Sequence, residues 1–582
     1  MKTLYKELTG KRKEIEKLTP IFLYNHHFSE GTLLLDKPGY YVLKENIIFN
    51  PNPNDDYFPR ANQSQYQIPG FSLGFFAVIA VYTDGVYLDL NGFTISASKE
   101  FALQQRFFSI IELANAPFIP LEGPSVFSTP SSFKSAENVI IRAGKLGLSS
   151  HHGIHGNMAS NILIENLSIE NFEFVGIALN GGGCVLMHKV EIRDNRKDIP
   201  VLGTYSAARF ARMFAKRVLS IPQVSASYKN ELANRLASLE AEMNQTFQEV
   251  RNGQAVSSPL FRNESGLPDG NLMGVIIKNR GFAVNELVTP DPSVVKTNNV
   301  FLRKVQTSNL KCRVDEIIGL SQKGGAGINV DIAGAVLSIL KIQDGNGVYK
   351  GTVLSAVQLY LAEIALAYNL TLGKNNIGSE VIEWSKSGQS IKTLLKKDYF
   401  YKCGADSMNH MNKFLASYRF DALNNLMIDK CSYDKIKNVA CMGCEIKGCK
   451  MHDSSKRGGE YAGSGCVGLN LAYCSNVFIH KFKGDKCTSK DGNATGINVI
   501  FGCENVKVDE VNLRDIKAGT LHNGKWIGKS FFGKNVKYED GEVNKKPIAV
   551  GIRYEKGSIV DMKDVEIHDL RSCAEPIKIL KY

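Results

Sequence analysis

The sequence predicts an all-β solenoid: a right-handed parallel β-helix with three strands per coil and α-helical insertions. Three observations predict it. A twelve-residue frame recurs along the chain, a strand of the form Gly-apolar-x-apolar sits between frames, and the copies return at intervals of about 23 to 30 residues. A βαβ fold would need longer crossovers between its parallel strands.

Each frame opens with a polar or small residue and carries apolar residues one, three, six, eight and eleven places later. Asn161 leads Ile162, Ile164, Leu167, Ile169 and Phe172, and Asn505 leads Val506, Val508, Val511, Leu513 and Ile516. Asn476 leads Val477, Ile479, Phe482, Gly484 and Cys487, and Asn425 leads Leu426, Ile428, Cys431, Tyr433 and Ile436. Cys184, Asn299 and Ile559 open further copies. Two short runs of period two with a bend between them read as two strands meeting at a corner. The third strand is Gly153-Ile154-His155-Gly156, Gly176-Ile177-Ala178-Leu179, Gly468-Leu469-Asn470-Leu471, Gly496-Ile497-Asn498-Val499 or Gly551-Ile552-Arg553-Tyr554. The leading asparagines tolerate left-handed backbone and bond to one another in stacked turns, so Asn161, Asn476 and Asn505 are expected to form a turn ladder.

The chain divides accordingly. Residues 1–80 are expected to hold an N-terminal cap and the first strands, with Leu4, Leu8, Ile15 and Leu18 on one side of an amphipathic helix that covers the open end. Coils follow at 81–202. From 203 to 262 the period becomes helical, giving an inserted hairpin whose second helix aligns Leu232, Leu236, Leu239, Met243, Phe247 and Val250. Coils resume at 263–327, a mainly helical insertion fills 328–417 with helices near 352–368 and 379–396, and the C-terminal coils occupy 418–582.

Composition limits the function classes. The 582 residues carry 70 Lys and Arg against 58 Asp and Glu, a net charge of +12 that suits an acidic or surface polysaccharide as partner. The positive charge is scattered, without the basic stripe interleaved with aromatics of a nucleic-acid reader, so nucleic acid is not expected. The most apolar stretch, Val353 to Tyr368, is too short and polar to span a bilayer. The first residues, MKTLYKELTGKRKEIEKL, lack a signal-peptide pattern, so the cytoplasm of the producing cell, with assembly into a virion, is the expected location.

The segments Gly85-Val86-Tyr87-Leu88-Asp89-Leu90-Asn91-Gly92-Phe93-Thr94-Ile95 and Ser149-Ser150-His151-His152-Gly153-Ile154-His155-Gly156-Asn157, with the opening strand Lys37-Pro38-Gly39-Tyr40-Tyr41-Val42-Leu43, carry a resemblance. The chain resembles the pectate-lyase-like β-helix superfamily and, more narrowly, β-helix proteins of large DNA viruses. The resemblance implies the fold over about 60% of the chain, a homo-oligomer such as a trimer, and assembly into a virion surface or fibre. It leaves function open, because this fold hosts lyases, hydrolases, epimerases and inert virion scaffolds.

The resemblance also implies a groove on the outer face of one parallel sheet. The outward residues of the third strand are expected to be His155, Ala178, Asn470, Asn498 and Arg553, none a carboxylate. A glycosidase needs two positioned acids. A lyase needs a base and cations for the developing enolate, with calcium as its cofactor where one is used. His155 and Arg553 are the candidate catalytic residues, and His151, His152, Asn470, Asn498 and Lys556 the candidate substrate contacts. His155 and Arg553 stand many coils apart, however, too far for one active site. Cys441, Cys444, Cys449 and His452 have the spacing of a zinc set. Against that, Cys431 and Cys487 fall at apolar frame positions, so interior thiols are the simpler expectation for this cysteine-rich half. Otherwise no cofactor is expected. A structural or glycan-binding β-helix is therefore favoured over a polysaccharide lyase acting on acidic glycans. Asp, Lys and Arg converging in one groove would reverse that order, and a flat outer sheet buried against another subunit would strengthen it.

Overall fold

In the computed structural model, the described residues are chiefly 16–50, 77–104, 109–113, 136–149, 152–172, 175–195, 226–258, 273–278, 297–313, 414–438, 465–489, 493–500, 502–522, 525–529, 547–572 and 574–581. Among them the chain forms two large sheets of seventeen and eleven strands. Neighbouring strands of successive coils are parallel throughout the eleven-stranded sheet, in register from Leu33–Leu35 to Ile577–Lys581. This is a parallel β-helix. Each coil gives one strand to the smaller sheet and two consecutive runs to the larger. In places these runs are separate, as Ser475–His480 and Lys483–Ser489, and in places they form one bent strand, as Glu504–Ala518.

The bends come from backbone geometry. Asn161, Asn166 and Asn171 all have φ between 50° and 58°, in the left-handed region. The same three corners recur at Asn425, Lys430 and Lys435, at Asn476, Lys481 and Lys486, and at Asn505, Glu510 and Asp515. The expected ladder is present at the first corner: Asn161 Nδ2 donates to Asn138 Oδ1 at 3.2 Å, Asn425 to Asn299 at 2.6 Å and Asn505 to Asn476 at 2.7 Å. The other two corners use Asn166 and Asn171 in one coil, but Lys430, Lys435, Lys481, Lys486 and Glu510 in later ones, which carry no left-handed signal of their own.

The apolar frame positions point inward and stack into one continuous core, including Ile162, Leu302, Ile428, Val477 and Leu513. In the last coil the same positions, Val560, Met562, Val565 and Leu570, are only partly buried. The glycines that open the third strands have a steric role. A Cβ at Gly176 would lie 2.6 Å from Ile192 Cγ2 and 2.7 Å from the Gly274 carbonyl oxygen, and one at Gly274 would lie 2.6 Å from Thr307 Cγ2. The strand there approaches the opposite wall too closely for most side chains. Ser417 takes the equivalent place in the following coil and is fully buried.

Of the expected insertions, the second helix of the hairpin is present as Ala226–Arg251, with Leu236, Leu239, Met243, Phe247 and Val250 buried. It packs against the short helix Lys99–Gln104. The hairpin's first helix, the side chain of Leu232 and the two helices of the 328–417 insertion lie outside the described residues. Strand Phe414–Asp421 opens the C-terminal coils. No helix among the described residues is long and apolar enough to cross a membrane.

The outer face of the larger sheet carries two rows. One is apolar: Tyr87, Ile140, Leu163, Leu186 and Phe301 form a cluster separate from the core and at most 5% exposed. The other mixes acidic and basic residues, running through Arg142, Glu165, His188, Arg303, Asp429, His480 and Asp509 in register. Glu16 reaches this face, 3.3 Å from Tyr87 Oη and 3.6 Å from an Arg142 nitrogen. The expected capping helix, with Leu4, Leu8 and Ile15, lies outside the described residues.

Candidate functional site on the smaller sheet

The outer face of the eleven-stranded sheet brings together most of the polar side chains the sequence singled out. Strand pairing aligns Glu112, His155, Ala178, Ile276, Arg419, Asn470, Asn498 and Arg553 in one row across eight coils. Two residues further along the strands, a second row runs Asn157, Asn180, Lys278 and Asp421. The expected outward residues are therefore in line, and the row contains a carboxylate, Glu112, that the sequence reading did not place there.

At one end His155 Nδ1 lies 2.7 Å from Glu112 Oε1, and Ser109 Oγ donates to the other carboxylate oxygen at 2.7 Å. Glu112 thereby holds the imidazole in one orientation, with Nε2 facing Asn180 Nδ2 at 3.4 Å. Asn180 also donates to Asn157 Oδ1 at 2.9 Å. The side chains of His155 and Glu112 are 19% and 15% exposed, so this pair is reachable from solvent. The His152 ring lies 4.9 Å from that of His155, while His151 is outside the described residues.

The next coils hold a compact charged group. Arg419 Nε donates to Asp421 Oδ2 at 2.6 Å, and Lys278 stands directly across from Asp421 in the register. All three are at most 2% exposed. Burial, reinforced by the Arg419 charge and opposed by Asp421, pushes the Lys278 ammonium down to about 7. Lysine in water titrates near 10.4, so here the amine exchanges its proton near neutrality.

Beyond this group, Asn498 Nδ2 donates to Asn470 Oδ1 at 2.7 Å, and both residues are buried, 8% and 1% exposed. They form a second asparagine ladder with little surface left for a ligand. Arg553 is half-buried and Lys556 exposed. Arg553 stands six coils from His155 in the pairing, on the order of 29 Å at ~4.8 Å per coil. The two candidate catalytic residues are thus far apart, as the spacing implied. Lys278 and Arg419 stand nearer to His155, two and three coils away.

The sequence contained signals for these missed residues, but weak ones. Gly274-Val275-Ile276-Ile277-Lys278 fits the third-strand pattern. Arg419 was hidden because serine replaces the glycine at 417, and Glu112 because Ser109–Leu113 lacks a glycine altogether. The carboxylates Glu112 and Asp421 stand four coils apart, on the order of 19 Å. Paired acids of glycosidases need roughly 5–9.5 Å, so these two do not form such a pair.

Six cysteines among the described residues are free thiols, and Cys431, Cys466, Cys474, Cys487 and Cys503 are buried. Burial pushes the Cys431 thiol up to about 12. Cys441, Cys444, Cys449 and His452 lie outside the described residues.

These features define the class: a parallel β-helix with a polar outer face on its smaller sheet. Neither the protein-family models nor the curated proteins include a match to the chain. Solved structures that resemble it include the N-terminal fragment of bacteriophage phi29 gene product 12, at 9% identity and TM-score 0.28, covering 98% of this chain and 62% of that one. The pre-mature phi29 gene product 12 matches at 8% identity and TM-score 0.30, over 96% of this chain and 54% of that one. PfbA, a surface adhesin of Streptococcus pneumoniae, matches at 8% identity and TM-score 0.28, over 97% and 82%. The chain spans less than two thirds of the length of the two phage proteins. Likeness at this level carries no argument about function.

Proposed function

We propose that the protein is a structural β-helix that binds an acidic glycan on the outer face of its smaller sheet. The observation that carries this reading is the partly exposed Glu112–His155 pair, on the same face as Lys278 and Arg419 two and three coils further on. A polyuronate or sulfated chain supplies the negative charge that such a face attracts. A virion surface or fibre, built as a homo-oligomer, is the setting the sequence resemblance suggests.

A second reading is favoured by one specific observation. Lys278 titrates near neutrality beside a guanidinium, and a polysaccharide lyase needs such a base and such a cation. Asp, Lys and Arg do converge here. They are also almost wholly buried, whereas the Glu112–His155 pair is reachable from solvent, and for that reason binding is placed first.

The test incubates purified protein with polyuronates, sulfated glycans and neutral glycans, with and without calcium. Binding, new reducing ends and unsaturated-product absorbance are followed together. Binding to the acidic members, weakened in His155→Ala, without either product is the expected result. Unsaturated product lost in Lys278→Met would establish the lyase. Reducing ends without unsaturation would mean hydrolysis and overturn both readings, and so would the absence of binding and products across the panel.

A further inference from the structure

We infer that His480, Asp509 and Glu510, on the outer face of the larger sheet, bind a divalent metal ion of the zinc type. This site is distinct from the face of the proposed glycan and from the spaced cysteines. One ligand atom from each of the three residues lies within 4.8 Å of the others. His480 and Asp509 are direct partners in adjacent coils, and Glu510 follows at a left-handed corner with φ 51°. That corner turns two consecutive carboxylates toward the same imidazole.

The imidazole is set up for coordination. Its Nδ1 lies 2.8 Å from Asp429 Oδ1, while the other oxygen of Asp429 is 3.3 Å from Arg303 Nε. Asp429 is therefore anchored on one side and accepts the Nδ1 proton on the other, leaving the Nε2 lone pair directed at Asp509 and Glu510. A carboxylate behind a histidine in this way is the usual support of a metal ligand. The Phe478 ring stacks on His480 at 5.5 Å and limits its rotation.

The spacing around Nε2 fits an ion better than a direct bond. His480 Nε2 lies 3.3 Å from Glu510 Oε1. A charged hydrogen bond of this kind would close to about 2.7–2.9 Å. A tetrahedral ion with bonds of about 2.0–2.1 Å separates its ligands by ~3.3 Å. Glu510 uses its second oxygen for Lys481, at 3.5 Å, so that cation does not block the first. Asp509 Oδ1 is shielded from solvent and has no hydrogen-bond partner among the described residues. A buried carboxylate oxygen left in that state costs free energy that a bound cation removes. One imidazole and two carboxylates suit a first-row ion, with water completing the shell on the side where Glu510 is 48% exposed.

The test titrates the full chain with Co2+, whose visible spectrum reports nitrogen and oxygen ligands separately from thiolates. One bound equivalent is expected, without thiolate charge-transfer bands, displaced by Zn2+ and not by Ca2+. Affinity should fall at least tenfold in His480→Gln and in Asp509→Asn, and about 10–100-fold in Asp429→Asn, which touches only the supporting shell. Far-UV circular dichroism and melting establish that each variant is folded, and Glu510→Gln, at an exposed position, serves if one is not. No Co2+ bound, affinity unchanged across folded variants, or a spectrum dominated by thiolate bands would each overturn the proposal.

Discussion

Tyr433 stands directly across from Gly484 in the adjacent coil, and its ring fills the space a side chain there would need. A methyl group at 484 would lie 2.5 Å from Tyr433 Oη and overlap the ring, which also covers Gly468. Gly484→Ala is expected to destabilise the protein by about 1–3 kcal/mol, the usual cost of overpacking. Tyr433→Leu in the same chain should recover part of that loss. Denaturant midpoints of the two single variants and the double variant measure the coupling. Additive losses would show that the ring and the glycine do not share that space.

Lys278 gives a pH dependence of definite sign. Its folded value, about 7, lies below that of a solvated lysine, so between pH 7 and pH 10 the unfolded chain binds more protons than the folded one. The burial penalty is fully felt below pH 7 and relieved as pH rises through this window. Lys278→Met should stabilise the protein at pH 7 by about 1–4 kcal/mol, as replacing buried charge with apolar side chains often does. It should also remove the rise in stability between pH 7 and pH 10. Melting temperatures across that range check both effects.

Glu170 acts in the opposite direction. Burial raises its carboxyl, but hydrogen bonds from Lys145 at 2.6 Å and from Arg193 at 2.5 and 2.8 Å outweigh that and leave it below the ordinary carboxylate range. The stability it contributes is present at neutral pH and lost as pH falls through its depressed value. Glu170→Gln should cost on the order of 1.5–3 kcal/mol at pH 7. Its acid unfolding limb should be shallower than that of the parent, as read by urea titration at pH 7 and pH 3.

The buried thiols should be unreactive in the folded state. Cys474 and Cys487, like Cys431, are held well above the ordinary thiol range by burial. A thiol reagent at pH 8 should label none of these three before unfolding and all of them in denaturant. Labelling mapped by mass spectrometry checks this, and early modification of Cys431 would place that coil outside the stable core.

The fold was legible because each coil repeats the same local demands. An Asn followed by alternating apolar residues requires the same corner and inward strand wherever it recurs, as at Asn161, Asn476 and Asn505. Beyond Asn166 and Asn171, the second and third corners carry no such signal, since Lys430, Lys435 and Glu510 adopt left-handed backbone that their side chains do not advertise. The candidate site was only half legible. His155 stood out through its strand pattern, but Glu112 lies 43 residues before it and became its partner only when the coils stacked. Lys278 and Arg419 flank the long insertion, and no local pattern joins residues on opposite sides of such a gap. The same holds for His480 and its support Asp429, whose 51-residue separation no local pattern spans.

The solvent-facing corners give the chain a ruler. Turning is done by main-chain angles at residues such as Asn425, Lys430 and Lys435, which lie outside the core. A coil can thus be added or lost without redesigning the interior, provided its inward positions stay apolar. The molecule's length is counted in steps of ~4.8 Å, and whatever it spans is measured in whole turns.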